Sequence, residues 1–137
     1  YKSSTGNNAF YPDSSMAYSY DWWAYLKPFK TEEDESFLVF NNYSYSPTTS
    51  QHQSNTQSLL DELNIKIDLF LTYTNLSLTE PDCLEDEIKE ATLKIEKLKE
   101  KINSRGSWKS TNAKREASIT LIREHIAKVK NLKKAML

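Results

Sequence analysis

The sequence predicts an all-α fold: an elongated antiparallel three-helix bundle or coiled coil, preceded by an aromatic-rich N-terminal arm. The first reason is a heptad pattern, in which apolar residues recur at alternating steps of four and three, as on the seam of packed helices. The second is a total of two Gly and four Pro, too few for the tight turns of a β-sandwich or barrel. The residues of the heptad pattern are Leu84, Ile88, Ala91, Ile95, Leu98 and Ile102.

Composition divides the chain of 137 residues into three segments. Residues 1–40 are predicted to form an aromatic-rich arm, residues 41–57 a linker rich in Ser, Thr, Asn and Gln, and residues 58–137 the helical bundle. A hydrophobic fraction of 38% is sufficient for a modest core. Because the chain begins at Tyr1 rather than Met, we expect it to be part of a longer protein.

The arm carries a dense set of aromatic side chains. Asp13 is placed to cap a short helix from Ser14 to Leu26, which Pro28 would end. The aromatic face of this helix packs on the bundle in one interpretation. In the other it docks on a partner, because Trp and Tyr are frequent anchors at protein interfaces. The residues predicted to bind a partner are Tyr20, Trp22, Trp23, Tyr25, Leu26 and Phe29.

A short motif lies inside the arm. The sequence Asp21-Trp22-Trp23-Ala24-Tyr25-Leu26 places an acidic residue before Trp-x-x-Leu, and it resembles the peptides that bind ubiquitin-like autophagy modifiers. The resemblance covers six residues. It implies that the segment pairs with its partner as an added strand, while one ring and the leucine fill two pockets.

The middle of the chain is predicted to be a polar linker that leads into the first helix. Phe37 to Phe40 is a short apolar run, expected to lie extended across the bundle. Residues 41–57 have too little apolar surface to offset the entropy of ordering. The first helix is predicted from Ser58 to Leu78, with apolar residues nearly all round it, so it has to be covered on more than one side.

Two further helices follow. One is predicted from about Asp82 to Ser104, with acidic first turns and basic last turns that suit the helix dipole. Gly106 is available for a left-handed break, and Trp108 in the connector is expected to cover the end of the bundle core. The last helix is predicted to begin near Ser110 or Thr111 and to continue to about Ala135.

The sequence contains no pattern that predicts catalysis or a metal site. Gly6 and Gly106 are too few for a Gly-rich phosphate loop. His125 has no second His or Cys nearby at ligand spacing, and the lone Cys83 can form no internal disulfide. We therefore predict a protein that is not an enzyme and that uses no metal, cofactor or small-molecule substrate. The acidic cluster of the second helix is expected to be a solvated face; it consists of Glu85, Asp86, Glu87 and Glu90.

These features predict a non-catalytic protein-interaction module, an adaptor or scaffold subunit of a larger complex. Its partner would be another protein, or a second copy of the chain, bound through helical grooves and the aromatic arm. With one Cys and no run of about 18 apolar residues, an intracellular location, cytoplasmic or nuclear, is favoured.

The charge distribution leaves an alternative function open. Residues 1–55, 56–104 and 105–137 carry net charges of −3, −5 and +7, counted from their Lys, Arg, Asp and Glu residues. The basic end either docks on the acidic middle of the same or another chain, or binds nucleic acid or an acidic membrane surface. The candidate anion-binding residues share one stripe of the last helix and are Arg123, Lys130 and Lys134.

Overall fold

The fold is a five-stranded mixed β-sheet with three α-helices, so the all-α, three-helix-bundle prediction is wrong. The computed structural model describes residues 8–11, 13–20, 22–104, 106 and 108–136. In chain order the elements are β1 (Asn8–Tyr11), β2 (Met16–Ser19), β3 (Trp23–Lys30), β4 (Ser36–Asn41), α1 (Pro47–Glu62), β5 (Leu69–Leu71), α2 (Cys83–Ile102) and α3 (Lys109–Ala135).

The sheet follows the chain, with strand order β1-β2-β3-β4-β5. The first four strands pair antiparallel, whereas β5 pairs parallel to β4 in the register Phe40 opposite Phe70. Ser15, Tyr20 and Asp34 lie between successive strands and have φ angles of 53°, 56° and 61°. Residues in this left-handed region are uncommon outside turns, so they mark the three tight reversals of the meander.

Strands replace the short helix that was predicted for the arm. Aromatic side chains favour strands, where they can pack above and below a pleated surface. Trp23 and Tyr25 face α1 while Ala24 between them faces the α2–α3 side, which is the alternation of a strand buried on both faces. Met16, Tyr20 and Trp23 recur at steps of four and three, the spacing that predicted the helix, but they lie in β2, in the turn and in β3.

Helix α1 occupies much of the segment that was predicted to be a linker. Ser46 caps it by accepting a hydrogen bond from the Thr49 amide at 3.1 Å, and Pro47 occupies the first turn. The helix then ends at Glu62, close to where the first predicted helix had only begun. Beyond it, Leu69 and Leu71 of β5 are buried while Phe70 between them is 37% exposed, which is the alternation of a strand with one face on the core.

The two later helices are confirmed and form an antiparallel hairpin. Their antiparallel orientation follows from contacts at both ends of the hairpin. Lys133 donates a hydrogen bond to Glu85 at one end, and the Arg115 guanidinium donates to the carbonyl of Lys101 at the other. The heptad seam faces α3, with Ile95 and other seam residues buried. One detail of the prediction is wrong: Trp108 covers no core end and is 77% exposed.

The elements stack in three layers, which are α1, the sheet and the α2–α3 hairpin. The prediction of a coiled coil is therefore wrong. One apolar cluster, including Phe10, Tyr25 and Phe40, lies between the sheet and α1. A second, including Phe29, Leu71 and Val129, lies between the sheet and the α2–α3 hairpin. A third lies inside the hairpin; its described buried residues are Ala91, Ile95, Leu98, Ile119 and Ile122, with Ile102, Ile126 and, from outside the two helices, a partly buried Tyr73 packed against them.

The hairpin therefore continues beyond the sheet on a core of its own. The ten residues of α2 after Thr92 correspond to about 15 Å of helix at 1.5 Å per residue. Among the described residues, no helix combines the length and the apolar character needed to cross a membrane.

Candidate functional site

The structure separates the six residues predicted to bind a partner. Tyr20 and Trp22 flank the turn between β2 and β3 and are 37% and 56% exposed. The other four lie in β3 and are buried in the core, so a partner cannot reach them while the sheet is intact. These four are Trp23, Tyr25, Leu26 and Phe29.

The motif that resembles an autophagy-modifier peptide is part of the central strand. β3 is hydrogen-bonded to β2 on one side and to β4 on the other, whereas an added strand needs a free edge. Trp23 and Leu26, which would fill the two pockets, are 1% and 0% exposed. Asp21 lies outside the described residues. The folded chain therefore does not present this motif.

Three exposed aromatic residues lie at one end of the sheet and the adjoining start of α1. The Tyr45 ring meets Trp22 edge to face at 6.1 Å between ring centroids, and its centroid lies 5.3 Å from that of the buried Trp23. Trp23 is itself fixed, because its indole Nε1 donates to the carbonyl of Asn75 at 2.9 Å. We call Tyr20, Trp22 and Tyr45 the aromatic patch. Tyr45 contacts the buried Trp23, and the Tyr20 ring lies 6.0 Å from that of the buried His52, whereas the contact of Trp22 is with the exposed Tyr45.

Sequence reasoning missed Tyr45 because it falls in the polar segment read as a linker. A signal was present: Tyr45 directly precedes Ser46-Pro47, which is a helix-start pattern of capping residue and first-turn proline. A residue next to a helix cap has a defined position, unlike a residue in a flexible linker.

A buried polar cluster joins the sheet to α1. The Ser19 hydroxyl lies 2.9 Å from Nδ1 of His52 and 3.1 Å from the hydroxyl of Thr49. The three residues are at most 1% exposed, and Nε2 of His52 has no hydrogen-bond partner in the described structure. Burial lowers the pKa of His52, which keeps the imidazole neutral. A Ser–His pair activates a nucleophile only where substrate can reach it, so this pair is structural.

The Tyr25 hydroxyl is the centre of the second half of this cluster. Tyr25 is an extra residue between the pairs Tyr18–Ala24 and Ala17–Leu26, which makes a β-bulge. Its hydroxyl lies 2.5 Å from Oδ1 of Asn8 and 2.6 Å from the Thr56 hydroxyl of α1. Burial raises the pKa of Tyr25 to about 12, so it stays a neutral phenol that both donates and accepts hydrogen bonds.

One carboxylate of the predicted solvated cluster is buried instead. Glu87 is 0% exposed and accepts hydrogen bonds from the amides of Thr72, Tyr73 and Thr74 at 2.7–3.0 Å. Its Oε2 also lies 2.6 Å from Nε2 of His125 on α3. Glu87 thus fastens the loop after β5 to both helices of the hairpin. Burial, and then the nearby Glu87 charge, raise the pKa of Tyr73.

The predicted anion-binding stripe lies on the surface. Arg123, Lys130 and Lys134 are exposed, and none forms an ion pair with a carboxylate of the described residues. Among the described residues, the charged side-chain contacts between the basic end and the acidic middle are the Lys133–Glu85 pair at 2.9 Å and the His125–Glu87 contact. The Lys133 ammonium holds the pKa of the exposed Glu85 below its usual value.

A cavity among the described residues lies beside the edge of the sheet. The cavity between the sheet edge and the C-terminal part of α3 has a volume of about 250 Å³ and is lined by Phe37, Leu69, Lys128 and Leu132, among others. In the part of the chain that the structure describes, no three His, Cys, Asp or Glu side chains are grouped to hold a metal ion.

Comparisons with known proteins return no match. No family model, no curated protein and no solved structure is similar to the chain.

Proposed function

We propose that this protein is a non-catalytic protein-interaction module, an adaptor or scaffold subunit, that binds another protein through the aromatic patch. The observation that carries the proposal is the exposed Trp22 ring, which is held in place by Tyr45 although more than half of its surface is accessible. A pre-positioned Trp beside Tyr loses little conformational freedom on binding, and such residues contribute most of the affinity at many interfaces.

The placement of the polar clusters also supports a non-catalytic role. The Ser19–His52 pair and the Glu87 carboxylate are the arrangements closest to catalytic groups, and each is buried and used in holding two layers together. The proposal includes an intracellular location, cytoplasmic or nuclear. It is supported by Cys83, which is a buried free thiol, so the fold does not depend on a disulfide. Burial raises the pKa of this thiol to about 11.

The test compares two positions that both carry exposed rings. A photo-crosslinking amino acid placed at Trp22 or at Tyr11, which is 43% exposed, reports which proteins touch each position in cells of the source organism. We expect a protein adduct at position 22 and none, or a different one, at position 11. The purified partner should then bind Trp22→Ala at least about 10-fold more weakly than wild type, as for an interface hot spot.

Two results would contradict the proposal. One is the same set of adducts at both positions, which would indicate nonspecific proximity. The other is unchanged affinity of the partner for a Trp22→Ala/Tyr45→Ala double variant that remains folded. A mass that rises with concentration in light scattering, and that the double variant lowers, would identify the partner as a second copy of the chain.

A further inference from the structure

The far end of the α2–α3 hairpin is a second surface, independent of the aromatic patch. Its interior is the third apolar cluster, and Tyr73 is the one residue from outside the two helices in that cluster. The end is also fastened by polar contacts. The Arg115 guanidinium donates to Oδ1 of Asn112 at 3.0 Å, and to the Lys101 carbonyl. The described residues of this end are therefore held by contacts within the hairpin and with Tyr73.

Trp108 stands at this end, immediately before α3, and is 77% exposed. No other large hydrophobic residue among those described has so much accessible surface. The residues around it are polar and exposed, including Ser104, Ser110 and Thr111. An isolated ring among polar groups offers a flat π-face and little apolar area beside it.

The segments on either side of Trp108 in the sequence carry an excess of positive charge. Of the described residues from 94 to 115, seven are Lys or Arg and two are Asp or Glu, for a net charge of +5. One exposed ion pair, Lys99–Glu96, is formed among them. Five exposed lysines of this range form no ion pair with a described carboxylate, and three of them lie within seven residues of Trp108 in the sequence: Lys101, Lys109 and Lys114. We call Trp108 and these three lysines the hairpin tip.

We propose that the hairpin tip binds single-stranded nucleic acid. The Trp108 ring stacks on one unpaired base, and the three lysines neutralise backbone phosphates on either side of it. Aromatic stacking needs an unpaired base because every base has a π-face that a duplex conceals, and a net charge of +5 fits a polyanion. The polar residues beside Trp108 disfavour insertion into a membrane, which requires a larger apolar face.

The experiment measures fluorescence anisotropy of a labelled 20-nucleotide poly-dT and poly-U strand with the full chain, from about 50 to 300 mM salt. Trp108→Ala is the test of stacking, Trp108→Phe the variant that keeps a ring, and Trp22→Ala the matched control at another exposed tryptophan. A duplex of the same length and vesicles of phosphatidylcholine with a quarter phosphatidylserine are the competing ligands.

A second pair of variants distinguishes binding at the hairpin tip from nonspecific attraction of the nucleic acid to positive charge elsewhere on the protein. The triple variant Lys101→Ala/Lys109→Ala/Lys114→Ala removes three positive charges from the hairpin tip. Its control, Arg123→Ala/Lys130→Ala/Lys134→Ala, removes the same charge from the stripe on α3. All six residues are exposed, so thermal melting should show that both triple variants fold.

We expect both single strands to bind more tightly than the duplex. Trp108→Ala should weaken binding roughly 5- to 100-fold, with Trp108→Phe between it and wild type. The lysine triple variant should reduce the slope of log affinity against log salt by about 2, because each phosphate contact contributes about 0.7 for single strands. The proposal is overturned by no binding at low salt, by equal affinity of Trp108→Ala and wild type, by preference for the vesicles or duplex, or by equal slope losses in the two triple variants.

Discussion

Helix α1 and the α2–α3 hairpin cover opposite faces of the same sheet, but different forces hold them there. The hairpin presents an apolar seam to its own interior and to the sheet, with residues such as Ile95 and Val129 buried. Helix α1 buries mainly polar side chains, and they form hydrogen bonds with the strands. Its buried residues are Thr49, His52, Gln53, Thr56 and Leu60.

This difference shows that helical periodicity in a sequence reports burial only when the buried face is apolar. Hydrogen bonds depend on direction and partner, whereas apolar contacts depend mainly on volume and area. The face of α1 should therefore tolerate few substitutions, and the seam of the hairpin should tolerate conservative ones.

The largest loss of stability is expected at Glu87, whose hydrogen bonds join the loop after β5 to the otherwise apolar α2–α3 hairpin. Glu87→Ala leaves three backbone amides and His125 without their acceptor in a buried site. The free energy of unfolding in urea should fall by about 3–5 kcal/mol, as when one member of a buried pair is removed.

Glu90, one turn further along α2 and without a hydrogen bond to a described residue, is the control. Glu90→Ala should change the free energy of unfolding by no more than about 0.5 kcal/mol. If the two alanine variants were equally stable, the fastening assigned to Glu87 would be wrong.

The second effect concerns the hydroxyl of Tyr25. Tyr25→Phe removes the group that bonds to Asn8 and Thr56 and leaves both partners buried, so the loss should be about 1–3 kcal/mol. Tyr18→Phe removes a hydroxyl with no hydrogen bond to a described residue and should cost at most about 0.5 kcal/mol. Equal losses from the two variants in chemical denaturation would show that the polar contacts of α1 contribute no net stability.

The third effect is a pH dependence that comes from His52. Burial lowers its folded pKa from the ordinary 6.5, so the unfolded state binds the proton more readily. Neutral His52 contributes fully to the free energy of unfolding above pH 6.5. This contribution is lost as the pH falls toward the folded pKa, by up to about 1.4 kcal/mol per pH unit. Unfolding curves from pH 7.5 to 5.5 should show this loss in wild type and a smaller one in His52→Gln, which retains His125. A variant with the same slope as wild type would remove His52 as the cause.

The smallest effect is expected in the hairpin seam. Ile95→Val removes one buried methylene from an apolar cluster and should cost about 0.5–1.5 kcal/mol. Leu93→Ala, at a position 46% exposed on the same helix, should cost less despite removing more atoms. A loss at Ile95 larger than that of Tyr25→Phe would reverse the proposed ranking of the two interfaces.

The sequence was sufficient to predict α2 and α3 to within two residues at each boundary compared, because their seam is apolar and their period is helical. It was insufficient for the arm, because side chains of β2, β3 and the turn between them recur by chance at steps of three and four, as they would in a helix. It failed for α1 because its buried face is polar, and such a face has the composition of a linker. The parallel pairing of β5 with β4 depends on contacts distant in sequence, which local patterns do not record.

The candidate site was predictable only in part, for the same reason. Tyr20 and Trp22 were identified because exposed aromatic residues are frequent at interfaces, but their neighbours in β3 have the same residue types and lie inside. Tyr45 reaches the patch through the start of α1, which the sequence analysis did not predict. The burial of Glu87 among acidic residues depends on the amides of a loop thirteen or more residues away.

Amide hydrogen exchange of α1, followed by NMR or mass spectrometry at neutral pH, tests the central claim most directly. If polar contacts dock this helix on the sheet, amides in its central turns should exchange on the order of 1000-fold more slowly than those of an unstructured peptide, as expected for structure that opens rarely. Tyr25→Phe should then accelerate them more than Ile95→Val does. Exchange of residues 50–62 at the rate of a free polar linker would contradict the account.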